Sequence, residues 1–148
     1  MIFKRYRAVW YAKKFIGTEY RYGDDEYGGD DPIMGMDCSG YFSEVLRGVG
    51  LLDDDERLSS MQLYERFKHA TPINKRRKGL LYLYGNSAGR IYHVAMVIDR
   101  NTIVEAGGGS RSTKDSKTAA IRNAFVRIRP ITHREAEMRF IVDPFKRG

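Results

Sequence analysis

The chain carries one cysteine, Cys38, and three histidines, His69, His93 and His133. A single thiol excludes an internal disulfide and any zinc site built on several thiolates. Two uses remain: a small buried hydrophobe, the common fate of a lone cysteine, or a nucleophile. Its position favours the second. Cys38 follows a stretch rich in Gly and Asp and opens an apolar pattern, Cys38, Phe42, Val45 and Val49, whose intervals trace one helical stripe. At a helix N-terminus the unpaired N–H groups and the macrodipole stabilise a thiolate. Gly40 leaves room for a substrate beside the backbone, and the N–H of Cys38 is itself a candidate oxyanion donor.

A nucleophilic thiol needs a base. His69 lies beside Ala70-Thr71-Pro72 and His133 lies in the charged run Thr132-His133-Arg134-Glu135, so both are expected to be exposed and inert. His93 instead enters the apolar segment Tyr92 to Ile98 and shares one strand face with Ala95 and Val97. Ala95 is small enough to let the Cys38 helix pack over that face. The alternative for His93 is a half-buried, hydrogen-bonded structural imidazole. A third member follows from hairpin parity. If Asp99-Arg100-Asn101 forms a three-residue turn, odd-numbered residues share a face, and Glu105 falls across from His93 or one diagonal step away. A carboxylate there would orient the imidazole and stabilise its protonated form. A two-residue turn would put Glu105 on the other face.

The elements that must position these residues can be read from period and punctuation. Phe3 to Phe15 is an amphipathic helix, with Phe3, Ala8, Tyr11, Ala12 and Phe15 on its apolar side and Gly17 as its stop. Tyr20 to Gly35 is a loop. Cys38 to Val49 is the second helix, stopped by Gly50, and Ser60 to Lys68 the third, with Ser60 as a possible cap. The period then changes to that of strands at Leu80 to Tyr84, Tyr92 to Ile98, Thr102 to Glu105 and Phe125 to Arg129, with a short last one at Arg139 to Val142. Helices first and a mostly antiparallel sheet after them make an α+β domain, and 148 residues suit a single domain spanning 1–148.

With 42% hydrophobic residues, a packed core is within reach. No apolar run approaches the roughly 20 residues needed to cross a membrane, so membrane insertion is not expected. The N-terminal segment mixes Lys4, Arg5, Arg7, Lys13 and Lys14 among its apolar residues, which is not the pattern of a signal peptide. The net charge of +7 favours an anionic partner: nucleic acid, acidic lipid or an anionic wall polymer. The densest basic run is Lys75 to Lys78.

Asp37-Cys38-Ser39-Gly40 at a helix start, followed by a histidine opening an apolar strand, resembles the NlpC-type (NlpC / p-sixty) cell-wall cysteine peptidases, which have a papain-like fold. Upstream, Gly17-Thr18-Glu19-Tyr20-Arg21-Tyr22-Gly23 is similar to the family's Gly-Thr-x-Tyr-x-Trp-Gly segment. Downstream, Val104 to Gly109 is similar to versions carried by bacteriophages and prophages. The resemblance implies Cys38 as nucleophile, His93 as base and Glu105 as its orienting partner. It implies that Tyr20 lies beside the thiol, with Tyr22 and Tyr27 as rivals, and that Asp37 and Ser39 contact the substrate. The implied substrate is the stem peptide of peptidoglycan, cut between D-glutamate and diaminopimelate or lysine, without metal or organic cofactor and without a nucleic-acid partner. A phage version would act on the wall from a virion, in company with tail proteins, or after release. Three features depart from the family's pattern. Glu105 stands where His, Asn or Gln is usual, the loop before Cys38 is longer, and Lys78-Gly79-Leu80-Leu81 replaces Pro-Gly-Asp-Leu.

Two other readings remain open. One is a basic module binding nucleic acid or wall polymer through Lys75 to Lys78 with Tyr82 and Tyr84, in which Cys38 is structural. The other is an amidase or acyltransferase using the same triad.

Overall fold

Residues 2–18, 37–107 and 125–146 are described by the computed structural model of the chain. Three helices precede five strands: α1 (Ile2–Lys13), α2 (Cys38–Gly48), α3 (Ser60–Phe67), β1 (Leu81–Gly85), β2 (Ile91–Asp99), β3 (Thr102–Gly107), β4 (Phe125–Pro130) and β5 (Met138–Val142). A single 3-10 turn, Glu135–Glu137, leads into β5. The strands form one sheet in the order β4-β3-β2-β1-β5, and every neighbouring pair is antiparallel. This is the α+β architecture expected from the change of period.

Because strand side chains alternate, the sheet has two faces with separate packing. The larger cluster lies between helices and sheet, where Phe15, Phe42, Leu46 and Leu63 meet Leu83, Val94, Met96 and Val104. The smaller lies on the opposite face and contains Leu80, Tyr82, Tyr84, Ala95, Val97 and Ile103, covered by Ile131 and Met138. α2 is the helix most fully enclosed among the described residues, and the Tyr41 hydroxyl ties it to α1 by donating to the Ala12 carbonyl. Gly50 ends this region in the left-handed conformation, at φ +77, where a Cβ would be strained.

Two local expectations change. Phe3 is 81% exposed, since α1 buries Arg5, Ala8, Val9 and Ala12 rather than a face containing Phe3. Ser59, not Ser60, caps α3: its hydroxyl accepts from Gln62 N while the Gln62 side chain accepts from Ser59 N. Ser60 is thereby freed from capping and turns inward, where it is buried.

Arg5 enters the core as a charge and is matched there. Its Nη2 donates to Asp143 Oδ2 at 2.9 Å and its Nη1 to the Lys78 carbonyl at 3.0 Å. The pair joins α1 to the segment after β5, with both side chains 4% exposed. Removing one partner leaves a buried uncompensated charge. Asp143→Ala should therefore lower the unfolding free energy by about 3–5 kcal/mol, read from urea midpoints at constant m-value.

Candidate active site

The site is built at the start of α2. Asp37 is the N-cap: its Oδ1 accepts from Gly40 N at 2.7 Å, and both carboxylate oxygens accept from Arg57 Nη2 at 2.8 and 2.7 Å. Tyr41 N donates to the Asp37 carbonyl. The cap thus occupies the third and fourth N–H groups of the helix. The N–H groups of Cys38 and Ser39 have no partner among the described residues and are the donors open to an oxyanion. Cys38 and Ser39 are 7% and 8% exposed.

The Cys38 thiol lies 3.8 Å from the Ser60 hydroxyl and 3.9 Å from the carbonyl of Tyr92, to which it can donate. The sulfur also acts on the side chain of His93, the next residue of β2, where it favours the charged imidazole. His93 Nε2 lies 3.5 Å from Glu105 Oε1, with the two side chains 7% and 1% exposed. That separation is long, and neither atom makes a geometrically sound hydrogen bond among the described residues, so the contact is an ion pair. Burial disfavours the charged imidazole, but the Cys38 sulfur and then the Glu105 carboxylate outweigh it and raise the His93 pKa to about 9. Burial likewise opposes the Glu105 charge and is overcome by His93, with smaller help from His133 and Arg134, so the carboxyl titrates below its ordinary range.

The route by which these groups meet differs from the sequence expectation in two ways. Ala95 belongs to the smaller cluster, on the face turned away from α2, so α2 does not pack over it. Cys38 reaches His93 where the sheet divides. Pairs between β2 and β3 run from Asp99↔Thr102 to Met96↔Val104, after which β2 continues along β1 and β3 along β4 as far as Gly107↔Phe125. His93 stands on one lip of this split and Glu105 on the other. The turn also has two residues, Arg100 and Asn101, rather than three. On its own that would send Glu105 to the opposite face, but the register shifts between Val97 and Asp99 and restores even parity. Gly107 completes the lip. A Cβ on it would lie 2.0 Å from Glu105 Oε2, so a larger residue there must push the carboxylate aside.

Two residues of the site escaped sequence reasoning. His133, expected to be inert, has its Nε2 3.5 Å from the same Glu105 Oε1 and is 30% exposed. Its neighbour Arg134 takes a left-handed conformation, φ 57, which no spacing signals. Ser60 could have been recognised as a non-cap only by seeing the Ser59–Gln62 capping box. Tyr20, Tyr22 and Tyr27 lie outside the described residues. Tyr82 and Tyr84, grouped with Lys75 to Lys78 in the binding-module reading, are 5% and 1% exposed in the smaller cluster, and the Tyr84 ring packs 5.4 Å from that of His93.

The NlpC/P60 family model matches residues 17–130. The chain belongs to the NlpC/P60 family. Membership, together with the thiol and imidazole of this site, makes it a cysteine peptidase. Solved structures with the NlpC/P60 fold superpose along nearly all of it. The P60 domain of an antigen from M. avium subspecies paratuberculosis is 23% identical, with a TM-score of 0.67 over 97% of this chain and 96% of that one. The peptidoglycan hydrolase RipB of Mycobacterium tuberculosis is 22% identical, with a TM-score of 0.68 over 97% of this chain and 66% of that one. The NlpC/p60 domain of the peptidoglycan hydrolase SagA is 22% identical, with a TM-score of 0.62 over 93% and 96%. No curated protein gives a sequence match.

The raised His93 pKa makes a directional prediction. A group whose pKa is higher folded than unfolded stabilises the fold fully below its unfolded value, near 6.5, and loses that contribution as pH rises through about 9. Imidazole NMR should find His93 protonated at neutral pH and titrating near 9. Glu105→Gln should move that midpoint down, and Gly107→Ala, which displaces the carboxylate without removing it, should move it the same way.

Proposed function

We propose that this NlpC/P60 chain is an endopeptidase that cleaves an amide bond in the stem peptides of peptidoglycan, with Cys38 as nucleophile, His93 as acid and base, and Glu105 as the group that orients His93. The observation that carries the reading is a thiol at a helix N-terminus whose sulfur favours the charged form of a buried imidazole, with the Nε2 of that ring 3.5 Å from a buried carboxylate. Two of the structural neighbours, RipB and SagA, are peptidoglycan hydrolases.

In this mechanism the thiolate of Cys38 attacks the scissile carbonyl carbon. The N–H groups of Cys38 and Ser39 receive the oxyanion. The His93 imidazolium gives its proton to the leaving amine as the C–N bond breaks, which leaves a thioester and a neutral ring. That ring then takes a proton from water, the hydroxide adds to the thioester, and the thiol departs with the product acid released. Glu105 holds the charge on His93 and the direction in which the ring points.

The bond between D-glutamate and diaminopimelate or lysine is the expected target. Tyr20, Asp37 and Ser39 are the proposed substrate-binding positions. Asp37 would act there through its role as helix cap, since Arg57 and Gly40 N already hold its carboxylate. The likeness of Val104 to Gly109 to phage-borne versions supports a phage or prophage enzyme acting outside the cytoplasm, tail-associated or lytic.

Mass spectrometry of purified muropeptides after digestion tests the bond, the activity and the nucleophile together. Wild type should release a fragment with a new amine on diaminopimelate or lysine. Cys38→Ala and His93→Ala should each slow release by on the order of 10³-fold or more. Undiminished release by Cys38→Ala would refute the mechanism, and fragments cut at an ester or at the glycan-proximal amide would favour the acyltransferase or amidase reading.

A further inference from the structure

The face of α1 turned to solvent is unlike the rest of the surface. Phe3, Tyr6 and Trp10 stand at positions i, i+3 and i+7, which lie on one side of a helix. They are 81%, 53% and 61% exposed. Ile2 beside them is 50% exposed. Large apolar side chains exposed in a row on one element mark an interaction surface rather than chance. The opposite side of the same helix is already in the core through Ala8, Val9 and Ala12, so the stripe is not a misplaced core face.

The charges that α1 itself places around the stripe carry one sign, with Asp99 near Lys13 at one end. α1 has no acidic residue, and Lys4, Arg7, Lys13 and Lys14 are exposed on or next to it. Lys14 Nζ sits 4.0 Å from the centroid of the Trp10 ring and Lys78 Nζ 5.9 Å from that of Tyr6. Cations over aromatic rings at the margin of an apolar strip match an interface that is apolar inside and anionic at its surface.

We infer that this face docks the protein on an anionic lipid bilayer, with α1 lying in the plane of the headgroups, Phe3, Tyr6 and Trp10 entering the acyl boundary, and the lysines and Arg7 contacting lipid phosphates. The aromatic rings can stack on a sugar face, but Ile2 adds nothing there and the flanking lysines and Arg7 only donate, whereas sugar hydroxyls call for donors and acceptors together. A second copy of the chain would set lysines and arginines against their own kind. The attachment is peripheral: α1 has 12 residues, and among the described residues no helix is long and apolar enough to cross a membrane. The inference does not depend on the catalytic reading, because α1 contributes no residue to the site.

Trp10 is the only tryptophan in the chain, so its fluorescence reports on this face alone. Titration with vesicles of equimolar phosphatidylcholine and phosphatidylglycerol should shift its emission to the blue and carry the protein into the vesicle pellet. Phosphatidylcholine vesicles should do neither, and high salt should reverse both effects. Replacing Arg7 and Lys14 together by Gln should weaken partitioning about 30-fold, near a factor of five for each basic residue. Phe3→Ser with Tyr6→Ser should reduce binding while the far-UV circular dichroism and the urea midpoint stay those of wild type, which shows that the variant is folded. An unshifted emission with anionic vesicles overturns the inference. So does an equal shift produced by a soluble polyglycerol-phosphate polymer without pelleting on vesicles, or one produced by rising protein concentration alone.

Discussion

A carboxylate that is 1% exposed is tolerable in a protein interior only if something nearby carries the opposite charge. Glu105 meets that condition with His93, and the rest of the site follows from it. The imidazole keeps its proton because Glu105 and the Cys38 sulfur together outweigh the cost of burial. Remove the carboxylate and the ring loses one of the two interactions that hold it charged. The sulfur, for its part, needs the helix start, where two N–H groups remain unclaimed by the cap.

Bringing a helix terminus and two strands to one point requires an opening in the sheet. β2 and β3 supply it by pairing only near their shared turn and then separating. The irregularity between Val97 and Asp99 is part of the same construction, since it returns Glu105 to the face of His93 after a turn of the wrong parity. Gly107 lets the carboxylate lie back against its own strand. Behind the split, the smaller cluster and the Tyr84 ring keep water from the far side of His93. His133 closes the remaining side of Glu105 as a second imidazole at the same oxygen, so the carboxylate is bracketed rather than simply paired.

The segment between α2 and α3 fixes the other half of the site. Arg57 clamps the Asp37 cap, Ser59 caps α3, and Ser60 turns toward the thiol. Arg57 and Ser60 thus hold the start of α2 by direct contacts with Asp37 and Cys38. The aromatic and basic face of α1 lies apart from this machinery and serves a different need, which is where the enzyme sits rather than what it cuts.

Much of this was written in the residue order. Helical and strand periods located the three helices and five strands to within two residues at every end, while the 3-10 turn Glu135–Glu137 left no such mark. Cys38 at a helix start, His93 in a strand and the DCSG segment were enough to point to the family, because local pattern and backbone chemistry are properties of neighbouring residues. Parity reached the right face for Glu105 through a turn of the wrong length, since a one-residue irregularity inside a strand leaves no mark in composition. Four things only the tertiary structure decided: that α2 packs on the face away from Ala95, that β2 and β3 part, that His133 returns to Glu105, and that Phe3 points to solvent. Each depends on contacts between segments far apart in the chain, and such contacts are set by how whole faces pack, not by any one segment's sequence.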